Sequence, residues 1–361
     1  MNPTTPSDRS GCRVVFTGIR QVVLEPQEPP VPGPGEVRVR TEYSLISPGT
    51  ELALYEGTHA GLNDPEITFA KFPHRPGYAA LGRVETCGEG VTALRAGDAI
   101  FFLGRHESWS MWNPGQMLWL PLPADLSVAQ VLMGRMLQIA ATSTLAFREA
   151  PSRVVVIGAG LVGLLAAQAL QARGVSEVVV QDINAARLQL AKRCGIARCA
   201  LGTGADLAAA RELLSAEPDV VIEATGVPAM VTAALRAVRR RGEVVLLGSP
   251  RGKLEVDLYK HIHRKGVALV GAHEAMVPDR APAGQSSRQA LLEQSFAWLR
   301  QGKVRVDGLI THSAKPKNLP LAYDRIARDK TRVLGVVVDW RNPDSAGAPA
   351  VPGAVDIASN D

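Results

Sequence analysis

The chain has 361 residues, of which 46% are hydrophobic and 21% charged, a balance that is normal for globular domains and a length that suffices for two of them. The formal net charge of +5 is small and dispersed, apart from Arg239–Arg241 at the end of a predicted helix. Aromatic residues make up only 5%. Composition therefore argues against a nucleic-acid partner and favours a solvated basic helix end.

The cysteines and the first residues bear on the cellular compartment. The four cysteines form no C-x-x-C pair and no zinc-ribbon or disulfide framework, so we interpret them as free thiols in a reducing compartment. The polar start "MNPTTPSDRSG" lacks the basic and apolar regions of a signal peptide. We therefore expect a cytoplasmic protein.

Short β-type runs broken by Gly and Pro occupy residues 12–123 and predict an antiparallel β domain. In "PGPGEVRVR", two valines alternate with two arginines over residues 37–40, the period-two pattern of a strand with one buried face. The chain ends at 1–11 and 341–361 are small, polar and rich in Pro or Gly, and we expect both to be loose.

From residue 124 the pattern changes to strands that alternate with helices, after a first helical stretch "SVAQVLMGRMLQIAATSTLAFREA". The predicted strands are Val154–Ile157, Val178–Gln181, Asp219–Glu223, Glu243–Leu247 and Val267–Val270. Gly174, Gly195 and Gly242 are predicted to end the intervening helices. This alternation predicts an α/β fold with a doubly wound parallel sheet, and residues 288–340 are predicted to return to the first domain.

The stretch "RVVVIGAGLVGLLAAQAL", Arg153–Leu170, is almost continuously apolar and raises the question of a membrane span. It holds only 16 apolar or glycine positions, just below the lower limit of about 17 for crossing a bilayer. It also contains glycines at the spacing G-x-G-x-x-G. A strand, a tight turn and a helix explain the stretch better, and we expect no membrane association.

Each glycine of this motif has a distinct role in a dinucleotide-binding turn. Gly158 permits the tight turn, Gly160 lets the backbone approach a pyrophosphate, and Gly163 allows the helix to pack on the strand. The helix opening at Leu161 and Val162 would offer unpaired N–H groups to the phosphates. A structural turn without a ligand is the alternative.

The next strand ends in Asp182, which can accept hydrogen bonds from both ribose hydroxyls and would repel a 2′-phosphate. This residue favours NAD over NADP. Arg187, one turn into the following helix, could flank the ribose, and it argues the other way because a basic residue could tolerate a 2′-phosphate.

These stretches together resemble the medium-chain dehydrogenase/reductase superfamily over roughly residues 14–340, in particular "RPGYAALGRVETCGEGVTALRAGD", "VVVIGAGLVGLLAAQAL", "DVVIEATG" and "GEVVLLGSP". The resemblance implies a GroES-like antiparallel β domain and a Rossmann domain. The implied boundaries are 1–130 for the GroES-like catalytic domain, 131–287 for the Rossmann NAD(P)-binding domain, 288–340 for the return and 341–361 for a flexible tail.

The sequence departs from the superfamily where many members hold a catalytic zinc. Ser47 stands at the position of a Cys ligand, Tyr78 and Ala79 replace the His and Glu of G-H-E, and the third position falls near Gln138 or Ala140. These side chains lack the imidazole and thiolate groups that zinc prefers, so we predict no zinc. "SPGTE" resembles a zinc-free-looking branch that includes bacteriochlorophyllide dehydrogenase-like proteins. A different metal site, built from His106, Glu107 and Glu51, is the alternative.

Without a metal, side-chain donors must stabilise an alkoxide. Tyr78 is the first candidate donor, although it could instead merely fill the metal cavity. His106 follows a strand in a loop that we expect to face a cleft, or it is an ordinary loop histidine. Ser47, Thr50 and Glu51 correspond roughly to ligand and proton-relay positions, and Glu51 could be a general base, could bind a substrate hydroxyl or amine, or could be a structural cap.

Further cofactor contacts are implied by the resemblance alone. Thr225 and Gly226 would touch the adenosine side, Gly248 and Ser249 would lie near the nicotinamide, and Arg332 would reach the pyrophosphate.

The sequence thus favours a zinc-independent, NAD(H)-dependent alcohol dehydrogenase or ketone reductase acting on a hydroxylated small molecule, such as a sugar, a cyclitol or a secondary metabolite. An enoyl or quinone reductase using NAD(P)H, or a non-catalytic dinucleotide-binding protein, remains as an alternative. We expect a homodimer formed through the sheet edge near Val267–Val270.

Overall fold

The computed structural model describes residues 11–203, 206–341 and 351–358. The predicted loose ends at 1–10, 342–350 and 359–361 lie outside the described residues. The chain divides into two compact units. The first comprises the described residues up to Ala124, Thr311–Asp329 and those from Gly335 onward, and the second comprises Asp125–Ile310 and Lys330–Leu334.

The chain up to Ala124 is built mainly of strands. They are β1 Gly11–Gly18, β2 Gln21–Gln27, β3 Val37–Ile46, β4 Ala80–Cys87, β5 Ala99–Phe102, β6 Trp109–Trp112 and β7 Trp119–Pro121. One short helix, α1 Thr50–Tyr55, and a 3-10 turn at Ala60–Asn63 lie between β3 and β4.

The middle of the chain alternates strands with helices. The helices are α2 Val128–Ala141, α3 Leu161–Ala172, α4 Ala185–Arg193, α5 Ala208–Arg211, α6 Pro228–Ala237 and α7 Arg288–Arg300. The strands are β8 Arg153–Ile157, β9 Glu177–Asp182, β10 Arg198–Leu201, β11 Val220–Glu223, β12 Glu243–Leu246 and β13 Ala268–Gly271. A capping box of Ser127 and Gln130 fixes the start of α2.

The last part contributes β14 Ile310–Ala314, α8 Leu319–Arg328, β15 Gly335–Asp339 and β16 Val355–Asp356. β16 pairs in parallel with β14, and Ile357 beside it is buried. This short strand differs from the loose end predicted for 341–361. Its apolar neighbours, which the Pro/Gly-rich composition obscured, supply the burial that holds it.

The first unit contains a two-stranded antiparallel sheet, β1–β2, and an eight-stranded sheet in the order β16-β14-β15-β3-β4-β5-β7, with β6 also paired to β3. Buried and half-buried residues alternate along the first part of β3, as the valine–arginine pattern predicts. Val37 and Val39 pack with Ile100, Phe102 and Trp112 in a hydrophobic core.

The second unit holds a six-stranded sheet in the order β10-β9-β8-β11-β12-β13. Every adjacent pair is parallel, with β8 at the point where the order reverses. The predicted α/β fold is confirmed. The strand β10 was not predicted, because "RCAL" is four residues long and shows neither alternation nor an apolar run.

The apolar stretch Arg153–Leu170 is divided between strand β8 and helix α3, as the glycine spacing predicts. Among the described residues, no helix combines the length and the apolar character that a bilayer crossing needs. Gly174 and Gly195 follow their helices with φ of 89° and 87°. The prediction for Gly242 is wrong, because α6 already ends at Ala237.

Candidate functional site

The turn between β8 and α3 has the geometry of a phosphate-binding loop. Gly158 has φ of 102°, where only glycine is unstrained. A Cβ on Gly163 would lie 2.0 Å from the Gly158 carbonyl oxygen, so the close approach of helix and strand requires a glycine there. A Cβ on Gly160 would meet only an Arg187 nitrogen, at 3.9 Å. The space beside Gly160 is therefore open.

Helix α3 begins at Leu161, and Val162 is its second residue. No side chain caps it, because its N-cap residue is Gly160. The first amides of the helix are thus left without a side-chain acceptor, on the side where the turn is open. Uncapped amides and the positive end of the helix dipole suit an anionic group.

Asp182 is tied directly to this turn. Its Oδ2 accepts a hydrogen bond from the Ala159 amide at 2.6 Å, and its Oδ1 accepts one from the Asn184 amide at 2.8 Å. Arg187 lies beside Gly160 and donates through Nη2 to the Lys330 carbonyl oxygen. The exposed Arg332 belongs to the same segment, Lys330–Leu334. Asp182 and Arg187 therefore lie beside this turn, and Arg332 belongs to the segment that Arg187 contacts.

The turns that follow β11 and β12 are in close backbone contact at the same edge of the sheet. A Cβ on Gly226, which has φ of 70°, would lie 2.4 Å from the Ser249 carbonyl oxygen. A Cβ on Gly248 would lie 2.6 Å from the Gly226 amide nitrogen. Only glycines permit this contact. The predicted cofactor residues Thr225, Gly226, Gly248 and Ser249 are thus brought together at the carboxyl end of two parallel strands.

Glu223 organises this edge and was not identified from the sequence. Its fully buried carboxylate accepts hydrogen bonds from the Thr225 amide at 2.7 Å, the Gly226 amide at 3.0 Å and the Thr225 hydroxyl. Burial raises the pKa of Glu223, against the lowering effect of these hydrogen bonds. The sequence signal that could have revealed it is an acidic residue at the end of an apolar strand, followed closely by Thr225 and Gly226 in a turn.

In the first unit, the candidates Glu51 and His106 form the centre of a buried polar network. His106 Nε2 lies 2.9 Å from Glu51 Oε2, and His106 Nδ1 lies 2.8 Å from the Ser44 hydroxyl. The Tyr323 hydroxyl donates to Glu51 Oε2 at 2.7 Å, and Trp340 Nε1 donates to Ser44 at 2.8 Å. Ser44, Tyr323 and Trp340 were not identified from the sequence.

Hydrogen-bond accounting fixes two directions in this network. Because an indole can only donate, the Ser44 oxygen accepts from Trp340, and the Ser44 hydroxyl is also hydrogen-bonded to His106 Nδ1. Because a carboxylate can only accept, Nε2–H of His106 donates to Glu51. Burial raises the pKa of Tyr323 well above its usual value, and the neighbouring Glu51 charge raises it further, so the phenol remains a donor.

The expectation that His106 faces a cleft is wrong. The side chain is 1% exposed, and both ring nitrogens have protein partners. Ser44, His106 and Glu51 have the order of a serine–histidine–acid triad, but Ser44 is 0% exposed and cannot attack a substrate. The network therefore holds backbone segments together: Glu51 Oε1 accepts from the Ser47 amide at 2.9 Å and fixes residues 47–51.

The remaining candidates lie around this network. Ser47 is buried, and the half-buried Thr50 is the first residue of α1. Tyr78 is half-buried and close enough to Tyr323 to affect its pKa. Gly77, with φ of 102°, lets this segment run against the backbone of His106, where a Cβ would lie 2.6 Å from the amide nitrogen.

The donor set does not fit zinc. Ser47 and Tyr78, which stand at the ligand positions that the resemblance implies, offer only a hydroxyl and a phenol, and both oxygens of Glu51 and both nitrogens of His106 already have partners. The alternative site with Glu107 does not form, since that residue pairs with Arg75 and accepts from the Ser110 hydroxyl at 2.7 Å. Within 11–203, 206–341 and 351–358, no three His, Cys, Asp or Glu side chains cluster as metal ligands would.

Comparisons with known proteins agree with this architecture. Residues 33–113 match the family "Alcohol dehydrogenase GroES-like domain", and residues 162–285 match "Zinc-binding dehydrogenase". The structure of 2R,3R-butanediol dehydrogenase from Bacillus subtilis superimposes with a TM-score of 0.74, at 19% identity over 91% of this chain and 99% of that chain.

Curated relatives include L-threonine 3-dehydrogenases. The protein from Vibrio cholerae is 26% identical over 201 residues, which cover 55% of this chain and 54% of the relative. The protein from Pyrococcus furiosus is 26% identical over 322 residues, 79% of this chain and 86% of the relative. The chain thus spans about half the length of several of the relatives that it matches.

Proposed function

Because the chain belongs to the medium-chain dehydrogenase/reductase superfamily, we propose that it is an NAD(P)-dependent oxidoreductase that interconverts an alcohol and a carbonyl group. The observation that carries the proposal is the turn at Gly158–Gly163. It combines an open face at Gly160, an uncapped helix start at Leu161 and a carboxylate, Asp182, bonded to its backbone. A dinucleotide needs all three features: the open face and the uncapped helix start for its pyrophosphate, and the carboxylate for its ribose.

NAD(H) is the proposed cofactor. When bound, the nicotinamide supplies or accepts the hydride. Asp182 would accept from the ribose hydroxyls and would repel a 2′-phosphate, while the amides of Leu161 and Val162 would face the pyrophosphate. Arg187 would flank the ribose, and Arg332 would add positive charge at the pyrophosphate. Thr225, Gly226, Gly248 and Ser249 would form the backbone surface along the cofactor.

The proposed chemistry uses side-chain donors and no zinc. The misfit of Ser47 and Tyr78 as zinc ligands supports this proposal. Tyr78 is the proposed donor to the developing alkoxide. Glu51 and His106 are assigned as positioning residues because both are buried and bonded within the protein. They hold residues 47–51, including Ser47 and Thr50, against the segment that carries Tyr78.

The proposed substrate is a small hydroxylated molecule, because the half-buried candidates Thr50 and Tyr78 both carry hydroxyl groups. The proposed assembly is a homodimer. Strand β13 pairs with β12 and lies at the end of the sheet order, with Leu269 41% exposed. An edge strand with an exposed apolar side chain suits pairing with a second copy.

The test has two stages. NADH and NADPH are first titrated into the protein, with binding followed by fluorescence, and tighter binding of NADH is expected. NADH consumption is then measured with a panel of ketones, hydroxyketones and matched conjugated enones. Turnover of ketones supports the proposal. Turnover restricted to enones would identify an enoyl or quinone reductase, and tight binding without any turnover would identify a non-catalytic binding protein.

A further inference from the structure

Helix α2 carries a buried amide that is only half satisfied. Gln138 is 0% exposed, and its Oε1 accepts a hydrogen bond from Arg135 Nη1. Its Nε2 has no hydrogen-bond partner among the described residues. A buried amide nitrogen without an acceptor is uncommon in folded proteins, because the lost hydration is not replaced.

The orientation of this amide is fixed by its neighbour. A guanidinium has only donors, so the oxygen of Gln138 must face Arg135 and the NH₂ group must face away. Arg135 is itself 2% exposed and is held by two hydrogen bonds to Glu274, at 2.6 and 2.8 Å. The orphaned NH₂ group therefore cannot turn over to find a partner.

The contacts of its neighbours attach helix α2 to the ligand-binding edge of the parallel sheet. Glu274 follows strand β13 by three residues. The Thr142 hydroxyl, at the end of α2, donates to the Ala272 carbonyl oxygen at 3.0 Å, and the Ala272 amide donates to the Leu246 carbonyl oxygen at 2.9 Å. Helix α2 is thus attached to the carboxyl ends of β12 and β13, where open parallel sheets bind ligands.

We infer that the NH₂ group of Gln138 donates a hydrogen bond to the carboxamide oxygen of the nicotinamide ring. The inference rests on the proposed function, since it requires a bound dinucleotide. The carboxamide offers the neutral acceptor that Nε2 lacks, and Gly248 and Ser249, assigned to the nicotinamide end, follow β12 at the same edge. The contact would fix the ring orientation.

The experiment compares ligands with and without the nicotinamide. Dissociation constants for NADH, NAD and ADP-ribose are measured by calorimetry for the wild type and Gln138→Met, a size-matched change that removes the donor. The expected result is a roughly tenfold weaker affinity for NADH and NAD with unchanged affinity for ADP-ribose. The methionine sulfur carries no hydrogen and cannot donate. Arg135 keeps its two hydrogen bonds to Glu274, so we expect the variant to fold.

The matched control is Gln168→Met on α3. Gln168 is also buried, but its Nε2 donates to the Arg305 carbonyl oxygen at 3.1 Å and its Oε1 accepts from the Arg305 amide at 2.7 Å. This variant should lose stability and leave the NADH to ADP-ribose affinity ratio unchanged. An unchanged ratio in Gln138→Met would overturn the inference alone. A wild type that binds neither ADP-ribose nor NADH would overturn the proposed function and the inference with it.

Discussion

Nε2 of His106 lies 2.9 Å from Oε2 of Glu51, and each residue is only 1% exposed. The pair joins chain segments that are 55 residues apart. Through Ser47 it holds the backbone at the start of α1, and through Tyr323 it holds helix α8. The two candidates with the strongest proton-transfer chemistry in this unit therefore stabilise the fold around Tyr78.

Removing the Tyr323 hydroxyl should destabilise the protein. Tyr323→Phe takes one donor from the buried Glu51 carboxylate, and we expect a loss of about 1–3 kcal/mol in the free energy of unfolding. Tyr55→Phe is the control, because Tyr55 stacks on Tyr323 at 5.7 Å and its hydroxyl has no hydrogen-bond partner in the described chain. Urea denaturation checks both; equal losses would show that the hydrogen bond to Glu51 contributes nothing.

Substitutions of two glycines in the same turn, Gly160 and Gly163, should affect cofactor binding and protein stability separately. Gly160→Ala should cost less than about 1 kcal/mol of stability, the difference between glycine and alanine at an N-cap, but should weaken NADH binding about tenfold or more. The added methyl group would occupy the open space proposed for the pyrophosphate.

Gly163→Ala should do the reverse, since its Cβ would lie 2.0 Å from a carbonyl oxygen. We expect a stability loss of about 1–3 kcal/mol, measured by thermal unfolding. If Gly160→Ala binds NADH as the wild type does, the turn does not hold the pyrophosphate.

Local and distant features differ in how far the sequence reveals them. The turn at Gly158–Gly163 is encoded in six consecutive residues, so spacing and a preceding apolar strand sufficed to predict it. The bond between Tyr323 and Glu51 spans 272 residues, and the bond between Trp340 and Ser44 spans 296. No local pattern records such partners, because they meet only when β15 and α8 pack beside β3 and α1.

The error at His106 has a related cause. Its position after a β run predicted a loop, and loops are usually exposed. Burial arises here because its backbone amide bonds to the Pro76 carbonyl oxygen at 2.9 Å and the Val14 amide bonds to its own carbonyl oxygen at 2.9 Å. These contacts depend on segments distant in sequence, so the spacing of polar and apolar residues could not predict them.

The cofactor preference is testable at Asp182. Asp182→Ala should weaken NAD binding relative to NADP by about tenfold, because it removes the acceptor for the ribose hydroxyls and the repulsion of a 2′-phosphate. Glu177→Ala, at the other end of β9, is the control for charge removal. The ratio of dissociation constants is the readout, and a ratio that Asp182→Ala leaves unchanged contradicts the NAD assignment.

The ion pair of Glu274 and Arg135 should make the free energy of unfolding depend on pH in the acidic range. Burial alone would raise the pKa of Glu274, but the charges of Arg135, Arg288 and His273 and the hydrogen bonds of Arg135 lower it below its ordinary 4.5. A lowered folded-state pKa means that the contribution is fully present above pH 4.5 and is lost as the pH falls through the lowered value.

Glu274→Gln should therefore cost about 3 kcal/mol near pH 7, because it leaves the buried Arg135 without its anion. The wild type should lose this advantage progressively in acid below pH 4.5. The measurement is the difference in unfolding free energy between the two proteins across this range. A difference that stays constant with pH would argue against the ion pair as its source.

The most direct test of a zinc-independent NAD(H) oxidoreductase is carbonyl reduction by metal-depleted protein. The protein is dialysed exhaustively against a chelator, its residual metal content is measured, and NADH consumption is followed with the best ketone of the panel. We predict that the rate after depletion equals the rate before it. A rate that disappears with the metal and returns on addition of stoichiometric Zn²⁺ would contradict the account.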